Sequence, residues 1–207
     1  MTLFRQLYDP ASRGFAYLLA DTDSREAVAV DCGAPGIVLP LLGAVREQEL
    51  SLRYLLCTHV DERMAGGLRQ VREQTGAQIV AGDAAPVDAD QRARNGDTLA
   101  FGNELIRVLA TPGHAPGDLS FLWRDRVFTG ETLLIRDCGR IDRADGDAGA
   151  LFDSITRRLL VLPGETLLFP GRETDHRSVS TIAEERDHNP SIAGLSRDEF
   201  VTRRSPA

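Results

Sequence analysis

Cysteine is scarce in this chain: Cys32, Cys57 and Cys138 are the only three in 207 residues. So small and odd a number excludes a disulfide framework, and a reducing, cytoplasmic setting is the expectation. Long apolar runs are also missing. Every hydrophobic stretch is broken before the ~20 residues that a bilayer-spanning helix requires. The N-terminal segment MTLFRQLYDPASRG lacks the apolar core of a secretory signal. Positive charge does not dominate either, since 31 Asp and Glu face 24 Lys and Arg, a net of -7. Nucleic acid and anionic membrane both demand a basic face, so neither is an expected partner. No internal repeat, linker or low-complexity tract interrupts the chain. What is present is 42% apolar residues, enough for a core, and 27% charged residues of mixed sign. That balance describes a soluble globular protein, and the length suits one α/β domain over residues 1–207.

The patterning alternates strand and helix signals. FAYLLAD and EAVAVDCG flank the turn TDSR and read as a hairpin. GIVLPLLGAVREQEL has helical spacing, with Pro40 a local interruption near its start. LRYLLCTH reads as a buried strand, ERMAGGLRQVREQTG as a helix closed by Gly76, and AQIVAGD as another strand. Two strand pairs follow, turning at Gly102-Asn103 and at Arg124-Asp125. ALFDSITRRLLVLPG is an amphipathic helix stopped by Pro163-Gly164, TLLFPG a strand, and VSTIAEERDHNP a helix ending before Pro190. Mixed sheets with helices outside would bury all of these faces.

Four polar residues fall just after strands: His59, His114, Glu131 and Arg172. Strand-end loops are where binding and catalytic groups collect in α/β folds. Two imidazoles and a carboxylate, His59, His114 and Glu131, are the ligand types of a mononuclear non-haem Fe(II) site with open positions. The loop TPGHAPGD stiffens His114 with prolines and lets the backbone turn at Gly113 and Gly117. Each residue also has a plain structural reading. His59 and His114 suit hydrogen-bonded histidines, Glu131 an acid at a helix start, and Asp61 a cap for the helix after it. Arg63 and Arg172 suit the surface, and Met64 suits the core, since a thioether is a poor ligand for hard metals.

The chain resembles the metallo-β-lactamase fold superfamily and, within it, the ETHE1-like persulfide dioxygenase family, with glyoxalase II more distant. The resemblance covers almost the whole chain, through FRQLYDP, CTH, NGDTLAFG, TPGHAPGDLSF, FTGETLLIRDCGRID, LLFPG and VSTIAEERDHNP. It implies a four-layer αββα sandwich of two mixed sheets with the metal at one edge. The family's iron triad of His, His and Asp falls on His59, His114 and Glu131, the carboxylate here reaching about 1.5 Å further. The superfamily's remaining ligands are replaced. In the HxHxDH pattern the second His is Asp61, the Asp is Arg63 and the last His is Met64. The His after LLFP is Arg172, followed by Glu173 and Thr174.

These departures strip the second-metal half of the site. The resemblance therefore implies at most one Fe(II) per chain and disfavours thioester hydrolysis by a glyoxalase II-like dinuclear centre. Arg63 and Arg172 are candidates to replace the second cation, paired with Asp61, Glu131 or Glu173. A guanidinium also repels a metal, by about 4 kcal/mol per unit-charge pair at 4 Å and an effective dielectric near 20. Two readings stand. One is a sulfur dioxygenase oxidising a low-molecular-weight persulfide, such as that of glutathione, to sulfite and thiol. The other is a metal-free member binding a small thiol or a protein partner. By family analogy CGRID lies beside the site. Arg140 is then a clamp for a substrate carboxylate or a structural partner of Asp137 or Asp142, and Cys138 a sulfur carrier or a buried packing residue. A homodimer is an expectation of the resemblance alone.

Overall fold

The structure, a computed structural model, describes residues 1–141 and 145–204. The first sheet holds β1 (Thr2–Asp9), β2 (Gly14–Asp21), β3 (Glu26–Val30), β4 (Ser51–Leu56), β5 (Gln78–Gly82) and β6 (Gln91–Ala93), in that order. Its first three strands are antiparallel and the rest run parallel. The second sheet has the order β14-β13-β10-β9-β8-β7, from β7 (Thr98–Phe101), β8 (Glu104–Ala110), β9 (Leu119–Trp123), β10 (Arg126–Gly130), β13 (Leu167–Pro170) and β14 (Ser180–Thr181). Only its β10–β13 pair is parallel. A short ribbon pairs β11 (Leu133–Leu134) with β12 (Asp137–Cys138). The helices are α1 (Pro35–Glu47), α2 (Glu62–Thr75), α3 (Ala148–Ser154), α4 (Ile182–His188) and α5 (Arg197–Arg204). α3 runs on through a π-helical turn, Ile155–Leu159.

Three apolar layers hold these elements together. Side chains of one face of β2 and β3, such as Leu18, Ala27 and Ala29, pack on Val38 and Leu41 of α1 and on Leu68 and Val71 of α2. The opposite face, with Tyr17, Leu19, Val28 and Val30, meets Val108, Phe121 and Phe128 of the second sheet. The second sheet's outer face, with Leu109, Val127 and Leu168, is covered by Leu151, Ile182 and Phe200 of the last three helices. Two-sided coverage is why FAYLLAD and EAVAVD read as continuous apolar runs rather than alternating ones. Each fully buried Leu, Val or Phe contributes roughly 1.5–3 kcal/mol. The layer order is thus helices, sheet, sheet, helices, and both sheets are mixed.

The helix ends obey local chemistry. The Asp61 carboxylate accepts the Met64 N–H at 3.1 Å and caps α2, while Gly76, at φ 72°, closes it. Pro35 occupies the first turn of α1, and Pro40 sits within the helix on its exposed side. Six elements went unread in the sequence: β1, β6, β11, β12, β14 and α5. β1 is the edge strand of its sheet and largely half-buried, so its apolar signal is diluted. Among the described residues no helix is long and apolar enough to cross a membrane.

Candidate metal and substrate site

The parallel strands β3, β4 and β5 end on one edge of the sandwich, and β10 and β13 end beside them. The loops after β3, β4, β10 and β13 enclose a cavity of about 480 Å³, walled also by the β1–β2 turn, the start of α1 and Arg140. Asp31, His59, Asp61, Arg63, Met64, Glu131, Arg140 and Arg172 all line it. The cavity therefore joins residues from six separate segments. A larger cavity, of about 920 Å³, lies between α2 and β5 and has no imidazole in its wall.

His59 is oriented by a relay that the sequence reading did not find. Asp31, at the end of β3 and in left-handed backbone conformation (φ 54°), takes the Thr58 N–H at 2.8 Å and the Thr58 hydroxyl at 2.6 Å. Since that hydroxyl proton is given to Asp31, the 3.0 Å contact from Thr58 Oγ1 to His59 Nδ1 requires the imidazole to donate. The basic lone pair of His59 is thereby placed on Nε2. Burial pushes the Asp31 carboxyl above its ordinary range, opposed by His59 and by the Thr58 hydrogen bonds. A hint of the relay was legible: EAVAVD ends an apolar strand on an acid.

His114 is fixed in the same way. Its Nδ1 lies 2.7 Å from the Arg140 carbonyl oxygen, which only accepts, so the proton is on Nδ1 and the lone pair again on Nε2. The two rings stand 6.0 Å apart between centroids at 75°. A second buried acid, Asp118, shapes the loop by taking the Ala115 N–H at 2.8 Å, and burial pushes its carboxyl up to about 7. Its other oxygen is buried with no hydrogen-bond partner. Two glycines let the loops meet. A Cβ at Gly130, which has φ +54°, would lie 2.1 Å from Thr58 Oγ1, and one at Gly139 would lie 2.6 Å from the Glu131 carbonyl oxygen.

Glu131, 9% exposed, is held by Arg172 through Nη2 and Oε2. Arg63 donates from Nε and Nη2 to Asp61, and its side chain is 81% exposed. Asp61 and Glu131 are thus the acids that these two arginines hold. Glu173 is not one of them: the Tyr8 hydroxyl (2.7 Å) and Arg13 Nε (3.2 Å) hold its carboxylate instead, and it does not line the cavity. Met64 packs in the core against α1 and the first sheet. Cys138 is buried in the β11–β12 ribbon with its thiol pushed up to about 12 by desolvation, and it does not line the cavity; this disfavours the sulfur-carrier reading. Asp137 is taken by Arg204 and Ser191 rather than by Arg140, and Asp142 lies outside the described residues. Among the described residues Arg140 has no ion pair, so its guanidinium is available to the cavity.

The donor chemistry fits one divalent ion. Two imidazoles with Nδ1 set against a fixed oxygen are the oriented ligand types such an ion needs, and the Glu131 carboxylate lines the same cavity as His59. Among the described residues no three His, Cys, Asp or Glu side chains converge as a ligand group, and Glu131 is paired with Arg172. Arg63, Met64 and Arg172 supply no hard ligand for a second ion beside it.

A mixed-sheet αββα sandwich with His59 and His114 at its edge defines a class, and residues 10–172 match the metallo-beta-lactamase superfamily, to which this chain belongs. Within it the chain belongs to the ETHE1-like family. It is 38% identical to the human mitochondrial persulfide dioxygenase ETHE1 over 205 residues, covering 96% of this chain and 79% of that protein. The crystal structure of ETHE1 from Myxococcus xanthus superimposes with a TM-score of 0.92 at 42% identity, covering 97% of this chain and 88% of that one. A hydroxyacylglutathione hydrolase from Rhodospirillum rubrum is 32% identical over 167 residues, 78% of this chain and 63% of its own length.

Proposed function

We propose that this protein is a persulfide dioxygenase-type enzyme acting on a low-molecular-weight thiol persulfide at a single Fe(II) site. The observation that carries the reading is the pair of imidazoles, His59 and His114, each locked by its own hydrogen bond into the tautomer that presents Nε2. Bound iron would supply redox chemistry and open positions for sulfur and dioxygen. The chain's own residues do the rest. His59, His114 and Glu131 hold the ion. The Asp31–Thr58 relay and the Arg140 carbonyl keep both rings from turning. The Arg140 side chain, at the cavity wall, anchors a carboxylate of a glutathione-like substrate and so orients its sulfur. The net change is persulfide, dioxygen and water to thiol and sulfite. All three cysteines are free and buried, in keeping with a reducing, cytoplasmic location.

One observation favours a second reading, a metal-free thiol-binding protein: Glu131 is paired with Arg172. Iron content and oxygen-electrode traces separate the two. Protein purified anaerobically with iron should carry one equivalent and consume O₂ with glutathione persulfide, and Glu131→Gln should lose both. Iron-loaded wild type that consumes no O₂ with any small persulfide ends the dioxygenase reading. Iron near zero in both proteins, with Glu131→Gln less stable, selects the metal-free one.

A further inference from the structure

The two arginines of the cavity hold their acids differently. Arg63 spends both N–H groups of one guanidinium edge, Nε and Nη2, on Asp61. Arg172 spends only Nη2, on Glu131, while its Nε is buried with no hydrogen-bond partner. The Nε/Nη2 edge is a fork whose spacing matches two oxygens of one carboxylate or other oxyanion. Glu131 fills half of it. The neighbouring acid Glu173 offers no replacement, because Tyr8 and Arg13 already hold it.

We infer that Arg172 is a lock on the metal site and that an oxyanion-bearing ligand is its key. Through Nη2 the guanidinium takes Glu131 Oε2 and sets a fixed positive charge beside the ligand set, so a metal ion must compete with it for this carboxylate. An oxyanion seated side-on across Nε and Nη2 satisfies the buried Nε as well, releasing Glu131 toward His59 and His114. Anion and metal then bind with positive coupling, and by linkage each raises the affinity of the other by the same factor. The inference rests on the proposed ligand set of His59, His114 and Glu131, but not on any oxygen chemistry.

Anaerobic calorimetric titration with Fe(II), with and without inorganic sulfate as the oxyanion, tests it. In wild type, sulfate should tighten Fe(II) binding. Arg172→Gln should bind Fe(II) about tenfold or more tightly than wild type, with sulfate making no difference. Arg172→Lys is the second variant in case the first fails to fold. It keeps the charge but not the fork, and should bind Fe(II) like wild type and lose the sulfate response. Equal Fe(II) affinity in wild type and Arg172→Gln would overturn the inference. So would absence of metal binding in either, or a sulfate effect that is missing in wild type or persists in the variants. Tight, sulfate-dependent Fe(II) binding without O₂ consumption would leave the lock standing and remove only the dioxygenase reading.

Discussion

Replacing Asp118 by Asn should change how stability depends on pH, not merely its level. Asp118 is buried beside the His114 loop, takes the Ala115 N–H through one oxygen, and has no partner for the other. Desolvation is the main cause of its rise to about 7; the charges of Asp31 and Glu131 add to it, and His59 and the Ala115 hydrogen bond oppose it. An unfolded aspartate titrates near ~3.9. Between these values the unfolded chain has lost the proton and the folded chain keeps it, so stability falls as pH rises, by about 1.4 kcal/mol per pH unit. The fall begins near pH 4, ends near pH 7, and totals about 4 kcal/mol. Asn cannot titrate and still offers an oxygen to Ala115. Relative to wild type, Asp118→Asn should gain stability steadily from about pH 4 to 7 and hold a constant difference above that. Urea unfolding of metal-free protein at half-unit pH steps measures this. Two parallel stability curves would refute the assignment of a buried, protonated carboxyl to this position.

Two further substitutions probe the groups around the cavity. Thr58→Val keeps the shape but leaves the buried Asp31 oxygen and His59 Nδ1 without their shared hydroxyl. It should cost about 1–3 kcal/mol per unsatisfied group and free the imidazole to exchange tautomers, read by denaturation and by ¹⁵N shifts of the ring. A single fixed tautomer in the variant would disprove the relay. Arg140→Ala leaves the backbone carbonyl that orients His114 but removes the guanidinium. It should weaken binding of glutathione persulfide by about tenfold to a hundredfold, the worth of a charged hydrogen bond, while iron content and affinity for a neutral alkyl persulfide stay unchanged. Equal losses for both substrates would remove Arg140 from carboxylate recognition.

The strands and helices were legible where burial imposes a single pattern. FAYLLAD, EAVAVD and LRYLLC announce themselves because both faces of their strands are covered, and the α2 cap and its Gly76 stop are local chemistry written in adjacent residues. The edge strand β1 and the short β6 were not, since half-exposed strands need not be continuously apolar. The sequence by itself determined the replacements in the second-metal half of the site, because residue type alone decides that Arg63, Met64 and Arg172 are not ligands for a hard cation. It also placed His59, His114 and Glu131 each at a strand end. Only the tertiary structure decided who holds whom. Arg172 lies 41 residues from Glu131, and Glu173, one residue on, is drawn away to Tyr8 and Arg13. Asp31 and Thr58, 27 residues apart, orient His59. Such pairings depend on which strand ends the sheets bring side by side, and on directional hydrogen bonds that span gaps of only about 3 Å; neither is encoded in any local stretch of the chain.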